Sequence, residues 1–501
     1  MPRHAFAPLL LLLFLPGGLV FALFSTAPPG FVAGQVVDDS GPVAGARVRF
    51  KAQPDAVWSD RAGRFFLPLS PGPVQRVTAT HPGYFIGGAS SERAPVSVRL
   101  RRLPTEDCPE YAWVAPTPNR LQSHQCGNCH AEIYREWAAS GHARAATNRR
   151  FLNLYDGTDW QGRPNVGWNL LADQPDGASV CAACHVPTIP SVFDDVRAVQ
   201  GTAAHGVHCD YCHKIDRLDE RADLGKTFGS FAYRLLRPKE GQLFFGPLDD
   251  VDRNEDVYSP FYRESRYCAG CHEGTVFGVH AYGTFSEWLA SPARREGKSC
   301  QSCHMKPTGL MTNIAPGKGG VERDPQTLAS HGMFAGSQAA MLRQSVRLEV
   351  NDFEQAGNAI SFEVVVSARD VGHRVPTGFP DRHLVLVVDT QPTGDDMPLA
   401  FGPVLPASAG PELAGRPGKL FAKQLTDADG DAPAPFWRAL PEFSDTRLTP
   451  GRPDRSRFRL LNPQRVELRL LYRRFWPSTT ASKGWPDETI VLATKSVYVA
   501  R

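Results

Sequence analysis

Between residues 30 and 103, apolar side chains recur at every second position over short runs: Val36, Val48 and Phe50, Phe65 and Leu67, Val77, then Val96, Val98 and Leu100. Turn-forming clusters separate the runs at Asp39-Ser40-Gly41-Pro42, from Asp60 to Gly63 and at Pro71-Gly72-Pro73. Alternation with this punctuation predicts a small β-sandwich over residues 30–103. From 104 to 343 regular periodicity is weak, and Gly, Pro and charged residues are scattered throughout. Two helical stretches stand out there. Ala131 to Ala145 can place Ile133, Trp137 and Ala138 on one face. Thr284 to Leu289 begins with a Thr cap followed three residues later by Glu287. Alternation returns over 344–501, in Val346–Val350, Ile360–Val364, Leu384–Val387, Phe458–Leu460 and Val466–Leu470, which predicts a second β-sandwich. The expected architecture is multidomain α+β: a small N-terminal β-sandwich, a largely helical or irregular core and a C-terminal β-sandwich.

The chain opens differently. Arg3 and His4 precede an apolar run from Leu9 to Phe24, after which Ser25-Thr26-Ala27 offers small residues to a peptidase. Residues 1–27 read as a secretion signal. An uncleaved membrane anchor is the alternative, but the run is 16 residues and is broken by Pro16-Gly17-Gly18, which is short for a span. Both readings place the remainder outside the cytoplasm, in the periplasm or at the cell surface.

The 501 residues carry a formal charge of +3, which makes no case for nucleic acid or an acidic polymer as partner. The cysteines say more. Ten of the 11 fall into five C-x-x-C-H units. These are Cys126, Cys129 and His130; Cys181, Cys184 and His185; Cys209, Cys212 and His213; Cys268, Cys271 and His272; and Cys300, Cys303 and His304. Two thiols one helical turn apart can each add to one vinyl group of a haem, and the adjoining His supplies imidazole to its iron. Four-cysteine zinc sites and thioredoxin-like pairs are the competing readings, but neither requires a His after the second Cys. With 15 histidines in 501 residues, five such matches by chance have a probability of about 10⁻⁸. The expected cofactor is haem c, five per chain, covalently attached. Their propionates would add about ten negative charges and make the assembled protein acidic. First cysteines lie 55, 28, 59 and 32 residues apart, so the second and third centres, and the fourth and fifth, are expected to be neighbours. Cys108 is left over, as a silent thiol or a link to another molecule.

An iron that only carries electrons usually has two protein ligands, whereas one that binds substrate keeps a position open. Nine histidines remain after His4 and the five proximal ones: His81, His124, His142, His205, His208, His280, His331, His373 and His383. Supply exceeds demand. His142 follows the first motif in Ser-Gly-His-Ala, and His331 follows the last in Ser-His-Gly. His373 sits in a loop stiffened by Pro376 and Pro380. These three, with His208 and His280, are the candidate distal ligands. His205 is an alternative to His208, His124 and His383 are weaker, and His81 belongs to a turn of the N-terminal domain. Arg374 and Arg382 are candidates for propionates or for plain surface residues.

Two resemblances add to this. Gly34-Gln-Val36, Gly41-Pro-Val43-Ala-Gly45-Ala46-Arg-Val48, Ser59-Asp60-Arg-Ala-Gly63-Arg-Phe65 and Gly83-Tyr84 resemble the carboxypeptidase regulatory-like domain, which implies a non-catalytic module. The region from Asp107 to about Pro380 resembles multihaem cytochromes of the c-554 and c-prime kind. That likeness rests on Tyr134, Trp137 and Ser140-Gly-His142-Ala, Tyr155-Asp-Gly157-Thr158-Asp159, Gly206-Val-His-Cys209-Asp-Tyr-Cys212-His213-Lys214-Ile215, Phe245-Gly246-Pro247, Thr284-Phe-Ser-Glu287-Trp288, Cys300-Gln-Ser-Cys303-His304-Met305, and Gly372-His373 with Pro376-Thr377-Gly378. It implies an electron carrier served by redox partner proteins, with His142, His331 and His373 as ligands. Some relatives are enzymes acting on small nitrogen or sulfur compounds. No C-x-x-C-K variant, the mark of the catalytic haem in pentahaem nitrite reductases, occurs here. A surface or filament cytochrome is a third reading.

Overall fold

The computed structural model describes residues 27–498 except 70–74, 94, 176–177, 192–193, 335–337 and 393–398. The expected signal segment up to residue 26 and the turn at 71–73 lie outside the described residues. No helix among the described residues is long and apolar enough to cross a membrane. The chain forms two compact units, one running to Leu103 and taking in Leu248–Tyr258, the other made of Pro104–Pro247 and Ser259 onward.

In the first unit, strand Phe31–Asp38 pairs antiparallel with Gly41–Pro42 and Arg64–Pro68 and parallel with Val96–Arg99. A second sheet runs in the order Ala56–Trp58, Arg47–Phe50, Arg76–Thr80, Gly87–Ser90. The alternation seen in the sequence closes one core, in which Val36, Val48, Phe65, Val77 and Val98 are buried together. The turn before Arg64 requires glycine, because Gly63 has φ +72° and an added Cβ would meet the carbonyl of Val36.

The period of two also explains what Leu248–Tyr258 does. Val48 and Phe50 point into the core, so Arg47, Arg49 and Lys51 emerge on the opposite face. Asp249 and Asp250 pair with Arg49 at 2.9 and 3.1 Å, and Asp252 pairs with Lys51 at 2.8 Å. Arg47 adds to Asp249 and Arg76 to Asp252. Asp250 also accepts from the amide of Ala52 at 2.7 Å. No pattern in the sequence marks this excursion of the chain. The Asp250 side chain is 1% exposed, so Asp250→Ala, which removes one of Arg49's carboxylate partners and leaves the Ala52 amide without its acceptor, is expected to destabilise this unit by about 1–3 kcal/mol. Arg76→Ala, at a half-exposed side chain, is expected to cost under about 1 kcal/mol. Calorimetry of the intact chain measures both.

The second unit carries two sheets around a shared core of Val364, Leu386, Phe421, Phe458 and Leu470. One runs Val346–Ala356, Ala359–Ala368, Asp454–Leu461, Leu399–Phe401; the other runs Ala439–Asp445, Gly418–Asp427, His383–Pro392, Pro463–Arg473, Ile490–Tyr498. The strands expected near 346, 360, 384, 458 and 466 all occur. Gly418–Asp427, Ala439–Asp445 and Ile490–Tyr498 are not singled out by alternation.

Against these sheets, residues 104–343 form short helices, none longer than eight residues among those described. The helix expected over 131–145 spans Ala131–Ala138 and ends before Ser140-Gly141, so His142 lies in the following turn. The capping box expected at Thr284 does not form. Gly283 occupies the cap position of Thr284–Leu289, and the amide of Ser286 donates instead to Glu273 at 2.8 Å. Glu287 is drawn away to the loop after His373.

Candidate haem centres

Four of the five C-x-x-C-H motifs place both thiols inside one α-helical turn: Ala178–His185, Cys209–Cys212, Arg266–His272 and Cys300–His304. The spacing i, i+3 presents each of these pairs on one side of its turn. The first motif differs from that expectation at Cys129. Its turn is a tighter 3₁₀ helix, Cys126–Asn128, and Cys129 stands just beyond it as the capping residue. The amide of Cys129 still donates to the carbonyl of Cys126, at 3.2 Å, and that bond closes the turn. A 3₁₀ turn has three residues, so side chains three apart eclipse, and the half-buried Cys129 remains on the same side as Cys126. This turn leaves no room for a side chain at its second position. Gly127 is buried, and a Cβ there would meet Pro118 and the carbonyl of Pro116.

None of the ten motif cysteines is in a disulfide. Small residues inside the other motifs permit close packing. Ala182 and Ala183 are fully buried, and a Cβ added at Gly270 would overlap the ring of Tyr233. Cys303 is the exposed one of the ten.

Four of the five motif histidines share a hydrogen-bond pattern. His130 directs Nδ1 at the carbonyl of Ile314 at 2.8 Å, His185 at Ala145 at 2.9 Å and His213 at Phe245 at 2.5 Å. His304 does the same with Phe334. A carbonyl only accepts, so the proton sits on Nδ1 and the lone pair on Nε2 is left for a metal. Burial holds His185 and His213 below the ordinary histidine range, which keeps the imidazoles neutral.

Two candidate distal histidines face motif histidines directly. The ring centres of His304 and His373 lie 6.1 Å apart with planes 16° from parallel. Those of His272 and His142 lie 6.2 Å apart at 73°. A metal–imidazole bond of about 2.0 Å, with the nitrogen about 1.1 Å from its ring centre, places two rings across one ion about 6.2 Å apart. The residues present therefore fit an iron held between two imidazoles at both places. His373 directs Nδ1 at the carbonyl of Arg374 at 2.9 Å, while His142 directs Nδ1 at the sulfur of Met333. Burial lowers the pKa of His142 to about 4.

His331 lies within electrostatic reach of His213 and His130, and burial pushes its pKa to about 4. Its amide donates to Glu136 at 2.6 Å and its Nδ1 faces the carbonyl of Ala329 at 3.2 Å. His208 is placed otherwise than a ligand requires. It is fully buried, its Nδ1 accepts from the amide of Tyr211 at 3.4 Å, and its Nε2 meets the hydroxyl of Thr188 at 3.1 Å. Both nitrogens are taken, and the side chain caps the third motif's helix. His280 points Nε2 at Glu273, at 2.6 Å, and so faces a carboxylate rather than a motif histidine. The Nε2 of His205 is 3.5 Å from Thr117 and its ring is 6.3 Å from Trp137. His383 is fully buried and stacked 4.3 Å from Trp476, with an Nε2 that lacks a partner, so protein closes it in on every side.

The sulfurs show which centres adjoin. Cys126 lies against Cys209, Cys184 against Cys271 and Cys268 against Cys300. The fourth and fifth motifs are thus neighbours, as their spacing suggests. The first and third are brought together although their first cysteines are 83 positions apart, which spacing does not reveal. Among the described residues, no group of three or more His, Cys, Asp or Glu side chains is gathered so as to hold an ion.

A buried charge pair escapes the sequence reading. Asp210, between the two cysteines of the third motif, pairs with Lys214, and both are completely buried. Asp210 also accepts from the amide of Val114 at 2.8 Å and the hydroxyl of Tyr111 at 3.0 Å. An acid and a lysine four apart on one turn are the signal that marks it. Arg374 pairs with Asp445 at 3.2 Å, and Arg382 donates to the carbonyl of Thr377 at 2.9 Å.

Residues 125–214, which hold the first three motifs and His142, match the family described as cytochrome c554 and c-prime. A penta-haem cytochrome c552 from Thermochromatium tepidum is similar in fold over 76% of this chain and 99% of its own, with a TM-score of 0.55 and 23% identity. No curated protein matches the chain. Motifs, ring geometry and these matches together support a multihaem c-type cytochrome.

Proposed function

We propose that this chain is an exported electron-transfer relay carrying five covalently attached haems. When bound, each haem supplies a one-electron iron couple. The five motif histidines would each hold one iron, and His142, His331 and His373 would close three of those irons to substrate. The reading is carried by the pair His304 and His373, whose ring centres lie 6.1 Å apart, the separation expected of two imidazoles on one iron. His142 opposite His272 repeats the arrangement, and His331 serves the first or third centre.

Sulfur neighbours give the order first–third and second–fourth–fifth, and the buried rings of Tyr211 and Tyr233 join the halves because both lie beside Cys212 and Cys271. Short steps between adjacent centres are what a relay needs. Export is consistent with the leading segment 1–27 and with thioether attachment outside the cytoplasm. The N-terminal sheets fit a non-catalytic module, and the partners are redox proteins.

The test is direct. Purified from a host competent for cytochrome maturation, the protein is expected to show an intact mass of polypeptide plus five haems and a haemochrome absorbance of five per chain. Four or fewer with all motifs intact overturns the count.

One observation favours a second reading, in which one iron stays open to a small nitrogen or sulfur compound. Asp381 is 2% exposed, burial holds its carboxyl protonated, and one oxygen has no partner. It lies within electrostatic reach of Tyr282, itself beside Cys181 and Cys184 of the second motif. A protonated acid beside an open iron suits a reductase. Binding of carbon monoxide by the reduced wild-type protein distinguishes the two.

A further inference from the structure

We propose that Glu287 is the positioning residue of the fifth centre: its carboxylate clamps the loop that presents His373 to His304. The inference rests on His373 being an axial ligand. His373 has no partner of its own beyond the neighbouring peptide, because its Nδ1 bonds the carbonyl of Arg374 at 2.9 Å. The direction of the ring is therefore set by the backbone of residues 373–377, and that backbone is held from outside. One oxygen of Glu287 accepts from the amide of Arg374 at 3.2 Å and from the hydroxyl of Thr377 at 2.7 Å. The other pairs with Arg447 at 2.8 Å. Arg447 is itself 8% exposed, and it donates to the carbonyl of Pro376 at 3.2 Å and to Asp445 at 2.8 Å. One carboxylate thus fixes the loop immediately after the imidazole, and its counter-ion fixes the loop again three residues on.

The same short helix acts on the other side of His373. A Cβ added at Gly372 would meet Trp288 at 3.1 Å and Ala293 at 3.2 Å, so Gly372 is seated on the residue next to Glu287. Thr284 of this helix bonds Thr377 at 3.0 Å. Helix Thr284–Leu289 follows the fourth motif in the chain and grips the fifth centre's distal loop from the C-terminal sheets. Charge-assisted bonds from a buried carboxylate are among the stronger anchors available to a loop. The arrangement gives Glu287 a reason to leave the capping role its sequence position suggests.

Ferric EPR and carbon monoxide binding by the reduced holoprotein test this. In His373→Ala, one of the centres is expected to become high-spin and to bind carbon monoxide. Glu287→Ala is expected to give the same signal in half or more of the molecules, and Glu287→Gln, which keeps one acceptor but not the charge, in a smaller fraction. Added imidazole is expected to restore the low-spin signal in both alanine variants. Unchanged low-spin intensity in a folded Glu287→Ala protein overturns the positioning role. Unchanged intensity in His373→Ala instead overturns the ligand reading on which it stands. If Glu287→Ala fails to accumulate, Thr377→Val decides: carbon monoxide binding above wild type supports the clamp, and binding equal to wild type rejects it.

Discussion

Replacing His142 by alanine is expected to turn one low-spin iron into a high-spin iron without loss of haem. The two thioethers and His272 of the fourth motif remain, so the haem stays attached. Only the second imidazole, 6.2 Å from His272 by ring centres, is removed. The lost signal should also be of a particular kind. The planes of His142 and His272 are 73° apart, whereas those of His304 and His373 are 16° apart. Crossed imidazole planes leave the two iron dπ orbitals nearly degenerate, and aligned planes split them. His142→Ala is therefore expected to remove a strongly anisotropic low-spin EPR signal, and His373→Ala a rhombic one. Loss of the rhombic signal from the His142 variant would refute the assignment. Reduction potential should shift as well, since exchange of an axial imidazole for water or nothing changes the electron density at the metal.

The second large effect is expected at Asp210. This carboxylate and Lys214 form a pair with no exposed surface. Removing the acid alone takes the carboxylate from a buried ammonium, and it also leaves the amide of Val114 and the hydroxyl of Tyr111 without that acceptor. A loss of about 3–5 kcal/mol is expected for Asp210→Ala. Lys214→Met should be milder, at about 1–3 kcal/mol, because the carboxylate it leaves behind keeps its bonds from the amide of Val114 and the hydroxyl of Tyr111, and the methionine can pack on the rings of Phe244 and Tyr111 that the ammonium nitrogen now overlies at 4.1 and 4.9 Å. The double variant should recover most of the loss of the single Asp210 change. Chemical denaturation followed through the Soret band measures all three, and a Lys214→Met chain as unstable as Asp210→Ala would refute the account.

Legibility in the sequence followed the range of the interactions concerned. Alternation marked the strands whose two faces differ, such as Arg47–Phe50 with Val48 and Phe50 inward. It missed Ala439–Asp445, where no residue is fully buried and the two faces hardly differ. Helix Ala131–Ala138 was legible, but its end was not, because the turn at Ser140-Gly141 serves to aim His142 rather than to continue the apolar face. The C-x-x-C spacing placed Cys129 near Cys126, yet the 3₁₀ form of that turn, and the closeness of Pro116 and Pro118 that leaves room only for glycine at 127, are visible only in the fold. Glu287 read as half of a capping box, since local sequence holds no record of an arginine 160 positions away that claims it. His208 and His280 stood beside His142 among the candidate ligands read from the sequence. What separates them is whether Nε2 meets Thr188, Glu273 or another imidazole, and that is a matter of distant partners.

The amino-acid sequence by itself determined where haem would attach and which imidazole would lie on the near side, because two thioethers and a proximal histidine must come from five consecutive residues. Only the tertiary structure brings a candidate imidazole to the far side. His142 is 130 positions before His272 and His373 is 69 after His304, so their encounter depends on how helices and sheets pack and on no local spacing. Covalent reach is short and is written in order along the chain; ligand pairing is set by folding.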